Sequence, residues 1–345
     1  MNTLILDIGN HSIRAAVNYG NRVDMLPIGT YLTPYSIPTI CTKLPDGKFV
    51  WGDIATYWSM GDGCLSYTLM ALEKQTVYKD AIGDLLLQIR TYISQIDAIT
   101  FIIPAEWSYG EPKKNMLAEA AKESGMNSTN FICTPIAVCD KIANFSDNEY
   151  AIFYDAGHKG VSISLLQRQS NRIAIVDSIF MEDGGGINYN RLLLQAINDQ
   201  SFLSIDDLGC KMLYTSNLEN KVTILKERLS SVNECSLPVD NDTRIFKLTN
   251  TEWYSKIAPS ISKTFQACNQ LLQDNHIDFN KLQKIYLYGG TCNIPYIEEN
   301  LLSYAKAQFN QNVQIVNISK TEKDAKNIAL YGAVMASAGR VTLKF

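Results

Sequence analysis

The chain repeats itself, and that constrains its fold more than any single motif. Near the start, Leu4-Ile5-Leu6-Asp7-Ile8-Gly9 is followed by Asn10-His11-Ser12 and then by Ile13-Arg14-Ala15-Ala16-Val17. Mid-chain, Ile152-Phe153-Tyr154-Asp155-Ala156-Gly157 is followed by His158-Lys159-Gly160 and then by Val161-Ser162-Ile163-Ser164-Leu165. Each segment reads as strand, Asp-x-Gly, short turn, strand: a β-hairpin whose tip carries a carboxylate and a glycine. Asp7 and Asp155 stand 148 positions apart, about one domain length. A duplicated unit therefore sets the architecture.

Each half continues in a similar way. After the first hairpin comes the strand Ala98–Ile103, closed by Pro104, then a helix over Lys113–Ser124 that Gly125 ends. The second hairpin leads to Asp183-Gly184-Gly185-Gly186, a helix over Asn188–Asn198 and helical stretches over Leu218–Val232 and Trp253–Asn275. The strand Lys284–Tyr288 then runs into Gly289-Gly290-Thr291, with a helix opened by Pro295. Strands alternating with helices predict an α/β protein with one helix-covered mixed sheet per lobe. The expected lobes are 1–148, with an insertion over about 27–97, and 149–345, with a helical subdomain over about 188–280. A final helix over about 324–338 crosses back toward the first lobe. The loop at Asn144–Asn148 marks the boundary, and the Pro- and Gly-rich stretch 27–63 reads as irregular.

Composition narrows the function. Hydrophobic residues make up 46 % and charged residues 19 %, a balance that folds rather than stays disordered. The 31 Lys and Arg against 35 Asp and Glu give −4, with no basic run, so a nucleic-acid partner is not expected. The eight cysteines form no CxxC pair and only three histidines accompany them, which disfavours a zinc site or a disulfide framework. Free thiols suit a reducing cytoplasm. The start MNTLILDIGN lacks a signal-peptide pattern and no apolar run reaches membrane-helix length, so no membrane association is expected.

The hairpin tips suit a polyphosphate. A glycine at a tip lets successive amides converge on an anion, and an adjacent Asp can hold Mg²⁺, usually through waters. Two such hairpins facing each other across a cleft would put Asp7 and Asp155 on the metal side, with Gly9 and Gly157 giving close approach. Gly184-Gly185-Gly186 before a helix reads either as an anion or nucleotide edge or as a plain connecting loop. Gly289-Gly290-Thr291 at a strand end reads as a surface on which a base or ribose packs, or as a tight turn. Lys226 and Ser230 are four apart on one helix face; they could bond a ribose, or Lys226 is an ordinary exposed lysine.

These residues in this order resemble the nucleotide-binding domain of the seventy-kilodalton heat-shock chaperones, of the actin and sugar-kinase superfamily. The carriers are Asp7-x-Gly9, Ile103-Pro104-Ala105-Glu106-Trp107, Asp155-x-Gly157, Gly185-Gly186, Lys226 with Ser230, Tyr288-Gly289-Gly290-Thr291 before Ile294-Pro295, and Ala329-Leu330-Tyr331-Gly332-Ala333. Trp51-Gly52-Asp53-Ile54-Ala55 is similar to a further family motif in the first-lobe insertion. The resemblance runs from Leu4 to about Ala338. It implies the bilobed actin-like ATPase fold, a duplicated ribonuclease H-like domain, with ATP or ADP and Mg²⁺ in the cleft. Asp7 and Asp155 would then be catalytic and metal-side residues. Gly9, Asn10, His11, Gly157, His158 and Lys159 would lie at the phosphates. Gly185, Gly186, Lys226, Ser230, Gly289, Gly290 and Asn293 would lie at the nucleoside.

The sequence also departs from the family. Asn10 and His11 replace two threonines after the first glycine, Gly160 stands where a threonine would position attacking water, and Ser162 replaces an aspartate. Thr134 replaces a glutamate, Asn293 an adenine-stacking arginine and Glu227 the arginine beside Lys226. Lys159 adds a charge beside the phosphates or is simply a turn lysine. The catalytic lysine has only candidates, Lys74 and Lys79. Phosphoryl transfer depends on positioning and charge neutralisation, so nucleotide binding with weak or absent hydrolysis is expected. Only Ala333–Phe345 follow Gly332, so no peptide-binding domain is expected. The alternatives are a non-catalytic scaffold acting through a protein partner, an actin-like filament protein, and a small-molecule kinase, for which no acceptor-side base is evident.

Overall fold

The computed structural model describes residues 2–59, 61–73, 76–93, 95–109, 111–142, 144–170, 172–201, 212–239, 244–322, 325 and 327–335. The chain divides into two compact units. One comprises Met1–Glu149, Leu166–Ser178 and Asp324–Phe345; the other comprises Tyr150–Leu165 and Ile179–Lys323.

The strands of the first unit are β1 (Thr3–Ile8), β2 (Ser12–Asn18), β3 (Val23–Met25), β4 (Ile37–Pro38), β5 (Ile40–Lys43), β6 (Phe49–Trp51), β7 (Leu65–Thr68), β8 (Ala98–Ile103) and β9 (Ser128–Cys133). Its helices are α1 (Asp53–Trp58), α2 (Leu69–Leu72), α3 (Tyr78–Arg90), α4 (Pro112–Glu123), α5 (Thr134–Ile142) and the C-terminal α11 (Ile328–Met335). The main sheet runs β3-β2-β1-β8-β9, with β4 also on β2. β1 is antiparallel to β2 and parallel to β8. Every residue of β8 is buried, as an unbroken apolar run in a central parallel strand requires. Pro112 opens α4 at a position where its missing N–H costs nothing, and Gly125, at φ +82°, follows its end.

The stretch expected to be irregular is so over 27–36, but from Ile37 it carries β4, β5, β6 and α1. β5 pairs with both β6 and β7, because Pro45-Asp46-Gly47 makes a hairpin turn with Gly47 at φ +91° and the Lys48 N–H donating to Asp46 Oδ1. The α3 residues Tyr78, Ala81, Ile82, Leu85, Leu86 and Ile89 repeat at helical spacing and are buried. The Trp51 indole donates to the Ala81 carbonyl at 2.8 Å. α11 packs on α5, and a Cβ on Gly332 would fall 1.5 Å from the Ala137 carbonyl oxygen. Glycine is required there.

The second unit repeats the plan. Its strands are β10 (Tyr150–Ala156), β11 (Val161–Gln169) and β12 (Arg172–Met181), of which Leu166–Ser178 is counted with the first unit, β13 (Glu234–Val239), β14 (Arg244–Thr249), β15 (Leu282–Tyr288) and β16 (Gln314–Asn317). Its sheet runs β12-β11-β10-β15-β16. That is the order of the first sheet, with β10 parallel to β15 as β1 is to β8. The mixed α/β fold with duplicated sheets, expected of actin-like lobes, is therefore present. The helices are α6 (Gly186–Ser201), α7 (Met212–Leu229), α8 (Asn250–Asp274), α9 (Pro295–Gln308) and α10 (Ile318–Thr321). Within the stretch expected to be helical, β13 and β14 form an antiparallel hairpin. Its signal is the alternation in Ile245-Phe246-Lys247-Leu248, where Phe246 and Leu248 are buried and Lys247 is exposed. A capping box of Thr249 and Glu252 starts α8.

Among the described residues, no helix is long and apolar enough to cross a membrane.

Candidate functional site

The two hairpin tips are built alike. The Gly9 N–H donates to the Ser12 carbonyl at 3.1 Å, and the Gly157 N–H to the Gly160 carbonyl at 2.9 Å. Each glycine carbonyl is tied to a threonine from a later segment. Thr39 Oγ1 donates to Gly9 O at 2.6 Å, and Thr291 Oγ1 to Gly157 O at 2.9 Å. The sequence motif Gly289-Gly290-Thr291 includes one of these threonines without a role for its hydroxyl, and nothing local marks Thr39, since its tie joins segments far apart in the chain.

At the first tip, Asp7 lies opposite Arg14 in the β1–β2 register, with Nη1 and Oδ2 3.8 Å apart. Burial pushes the Asp7 carboxyl above its usual range, and the guanidinium opposes that shift. Arg14 is not among the residues expected at this tip. Its signal is the symmetry of the hairpin, which sets Asp7 and Arg14 face to face. Asn10 Oδ1 is buried without a hydrogen-bond partner, and Asn10 lines a small cavity with Glu73, Tyr78, Pro104 and Trp107. Glu73 pairs with Lys113 at 3.2 Å. His11 is exposed.

The second tip gathers most of the other predicted residues. The Gly186 N–H donates to Gly157 O at 3.0 Å, and the Ile187 N–H to His158 O at 2.8 Å. This lays the start of α6 along the turn. A Cβ on Gly185 would fall 2.4 Å from the Gly160 nitrogen, and one on Gly186 would fall 3.2 Å from Lys226 Nζ. Gly289, at φ +88°, leaves room for a Cβ only 2.4 Å from the Ala156 carbonyl oxygen and 2.7 Å from Asp155 Oδ1. Asp155, Gly157, His158, Gly185, Gly186, Lys226 and Gly289 thus share one locality. Gly290 and Asn293 are exposed, and a Cβ on Gly290 would meet nothing within 4 Å. Lys159 Nζ lies 5.7 Å over the Phe180 ring.

Lys226 projects from α7 and donates to the Gly186 carbonyl at 3.1 Å. Burial lowers its pKa to about 8, partly opposed by Glu227. Ser230 lies one turn on, and its hydroxyl donates to the Lys226 carbonyl at 3.2 Å.

Other candidates stand in other settings. Thr134 Oγ1 donates to the Ile103 carbonyl at 3.2 Å, at the start of α5. Lys79 pairs with Glu123 at 2.8 Å, which ties α3 to α4. Lys74 and Cys210 lie outside the described residues, as do positions 324, 326 and 336–338 of the expected final helix. A Cβ on Gly160 would fall 2.2 Å from the Met181 carbonyl oxygen and 2.6 Å from the Phe180 ring. Phe180 fills the space a larger residue would need.

A family model described as Hsp70 protein matches residues 88–341. The match covers the second tip, and the first tip precedes it. Chaperone protein HscA of Buchnera aphidicola is 21 % identical over 205 residues, covering 59 % of this chain and 39 % of that protein. Heat shock 70-related protein 5 of Dictyostelium discoideum is 22 % identical over 219 residues, covering 59 % and 42 %. Heat shock protein 70 homolog lhs1 of Schizosaccharomyces pombe is 23 % identical over 255 residues, covering 68 % and 30 %. The chain spans about two fifths or less of these relatives' length.

Proposed function

The chain belongs to the Hsp70 family, and from that premise we propose that it binds ATP or ADP and hydrolyses ATP slowly or not at all. The reading is carried by the packing of the Gly185–Gly186 helix start on the Gly157–Gly160 turn, with the Lys226 ammonium donating to Gly186. The Gly157, Gly186 and Ile187 N–H groups already donate within the tip, so the donor the tip offers a phosphate is the Lys226 ammonium, a point charge with N–H groups beyond the one it gives Gly186. The open backbone at Gly290 and Asn293 suits a flat base or a ribose. Ser230, whose hydroxyl already bonds its own helix, is assigned a packing contact to the nucleoside.

Slow turnover follows from two side chains. At Gly160 there is no hydroxyl to hold attacking water, and Phe180 and Met181 occupy the space beside it. Thr134 carries no charge, and its hydroxyl is spent on Ile103.

Members of the family bind ATP or ADP with Mg²⁺. At Asp155 the half-buried carboxylate beside Gly289 suits an ion held partly through water. At Asp7 the carboxylate already faces a guanidinium, and that donor set does not suit a dication.

Isothermal titration of ATP and ADP into wild type, Asp155→Asn and Lys226→Met tests the reading, together with phosphate release by the wild type. Binding that weakens in both variants with little phosphate released is the expected outcome. Turnover matching that of ordinary family members would overturn the slow-hydrolysis half, and no binding would overturn the rest.

A second reading, action through a protein partner, draws on exposed apolar side chains in the first unit. Tyr31 is 98 % and Leu32 87 % exposed, and Tyr57 and Trp58 project from α1.

A further inference from the structure

We propose that the small cavity behind the first tip binds an ordered water that joins the Asn10 side chain to Glu73 and Tyr78, so that the insertion helps set the shape of the tip. The inference goes beyond the nucleotide-binding reading and does not rest on it, since every residue involved belongs to the first unit.

Asn10 is the reason for a ligand. Its Oδ1 is shut off from solvent and has no hydrogen-bond partner, whereas most buried side-chain polar atoms bond to protein or to ordered water. Asn10 stands on the wall of a cavity of about 40 Å³, and one water needs only ~10–15 Å³. Leu69, Phe101 and Leu117 contribute apolar wall, while Glu73 and Tyr78 bring polar groups to it. Glu73 follows α2 and Tyr78 opens α3, so both belong to the insertion expected over about 27–97.

Charge decides what kind of ligand fits. The Glu73 side chain is 6 % exposed and pairs with Lys113 at 3.2 Å. Lys113 Nζ also lies 5.0 Å over the Trp107 ring and 3.9 Å from Glu111. The carboxylate is thus already balanced, and a further cation would be repelled by the ammonium. A neutral ligand is not repelled, and the neutral hydrogen-bonding ligand of this size is water. A carboxylate accepts about four hydrogen bonds, so the Lys113 contact does not exhaust Glu73. Burial raises the Tyr78 pKa, and Glu73 and Glu111 add to the rise, so the hydroxyl keeps its proton and can donate. A water there donates to Asn10 Oδ1 and Glu73 and accepts from Tyr78, about the three bonds that buried water typically makes. Asn10 adjoins Gly9, whose carbonyl is held by Thr39 of the same insertion. The water is then a second tie from the insertion to the tip.

A crystal structure of the wild-type chain, at a resolution that shows ordered water, tests this directly. Density is expected for a water about 2.5–3.0 Å from Asn10 Oδ1 and from a Glu73 oxygen. A dry cavity, or an Asn10 Oδ1 bonded to protein instead, would overturn the proposal. Denaturant unfolding of wild type, Asn10→Leu, Tyr78→Phe and the double mutant supplies the second readout. The two side chains couple only through the water, so the double mutant should lose less of the folding equilibrium constant than the product of the single losses, by more than about twofold. Agreement with that product within about twofold would show that no water bridges them. Should Asn10→Leu fail to fold, the wild-type density decides alone.

Discussion

Lys226 donates from its half-buried ammonium to the carbonyl of Gly186, 40 positions earlier in the chain, at 3.1 Å. The bond joins α7 to the first residue of α6, beside the turn whose Gly157 carbonyl accepts from both Gly186 and Thr291. Three chain segments and one charged side chain thus hold the second tip, and its properties respond to each.

The Lys226 pKa of about 8, against an ordinary 10.5, has consequences for pH dependence. The folded state disfavours the ammonium, so between these values the unfolded chain holds more protons and stability rises with pH. The cost is fully present below pH 8 and on the order of 3 kcal/mol. Urea unfolding from pH 7 to pH 10.5 should show this rise in wild type and lose it in Lys226→Met; parallel profiles would refute the assignment. If phosphates approach the amine, its pKa moves up. Nucleotide binding at pH 8 should then take up protons, seen as a binding enthalpy that depends on the buffer's ionisation enthalpy.

Gly160→Thr should not restore hydrolysis. The added atoms would collide with the Met181 carbonyl and the Phe180 ring, and overpacking of this kind costs about 1–3 kcal/mol. Phe180→Ala should relieve part of that cost, so the double mutant should be less destabilised than the sum of the singles. Denaturant midpoints of the four proteins measure the coupling, and strict additivity would show that Phe180 is not the obstacle.

Gly185→Ala and Gly290→Ala form a matched pair. The first places a methyl 2.4 Å from backbone at Gly160 and the second places one in open space. The first should lose about 1–3 kcal/mol of stability and the second less than about 0.5. Equal losses would mean that the packing of the helix start on the turn is not as described.

Thr291→Val keeps the side-chain shape and removes the hydroxyl bonded to Gly157 O. Its loss should be about 1 kcal/mol, as should that of Thr39→Val, which frees Gly9 O. Only the Thr291 variant is expected to weaken Lys226-dependent nucleotide binding, which calorimetry on both variants would check.

Much of the fold was legible because its signals are local. The Asp-x-Gly hairpins, the apolar run of β8, Pro112 and Pro295 at helix starts and Gly125 at a helix end each act within a few residues. The β5–β6 hairpin was legible too, at Pro45-Asp46-Gly47, but was masked by the surrounding prolines and glycines. The β13–β14 hairpin lay between two long helical patterns, and its short alternation was read as part of them. At the site, the glycines and Lys226 stood out by pattern. Arg14 did not, because one arginine in an alternating strand is unremarkable until its cross-strand partner is identified.

The sequence alone determined the duplication, the strand–turn–strand units and the residue types at both tips, since hydrogen-bonded turns and apolar periodicity are properties of neighbouring residues. Only the tertiary structure decided which of those residues meet and in what state. The displaced pKa of Lys226 comes from desolvation summed over chain-distant atoms. The exclusion of a side chain at Gly160 comes from the Met181 carbonyl and the Phe180 ring, some twenty positions away. Burial and close contact add up across space rather than along the chain, and no local pattern encodes them.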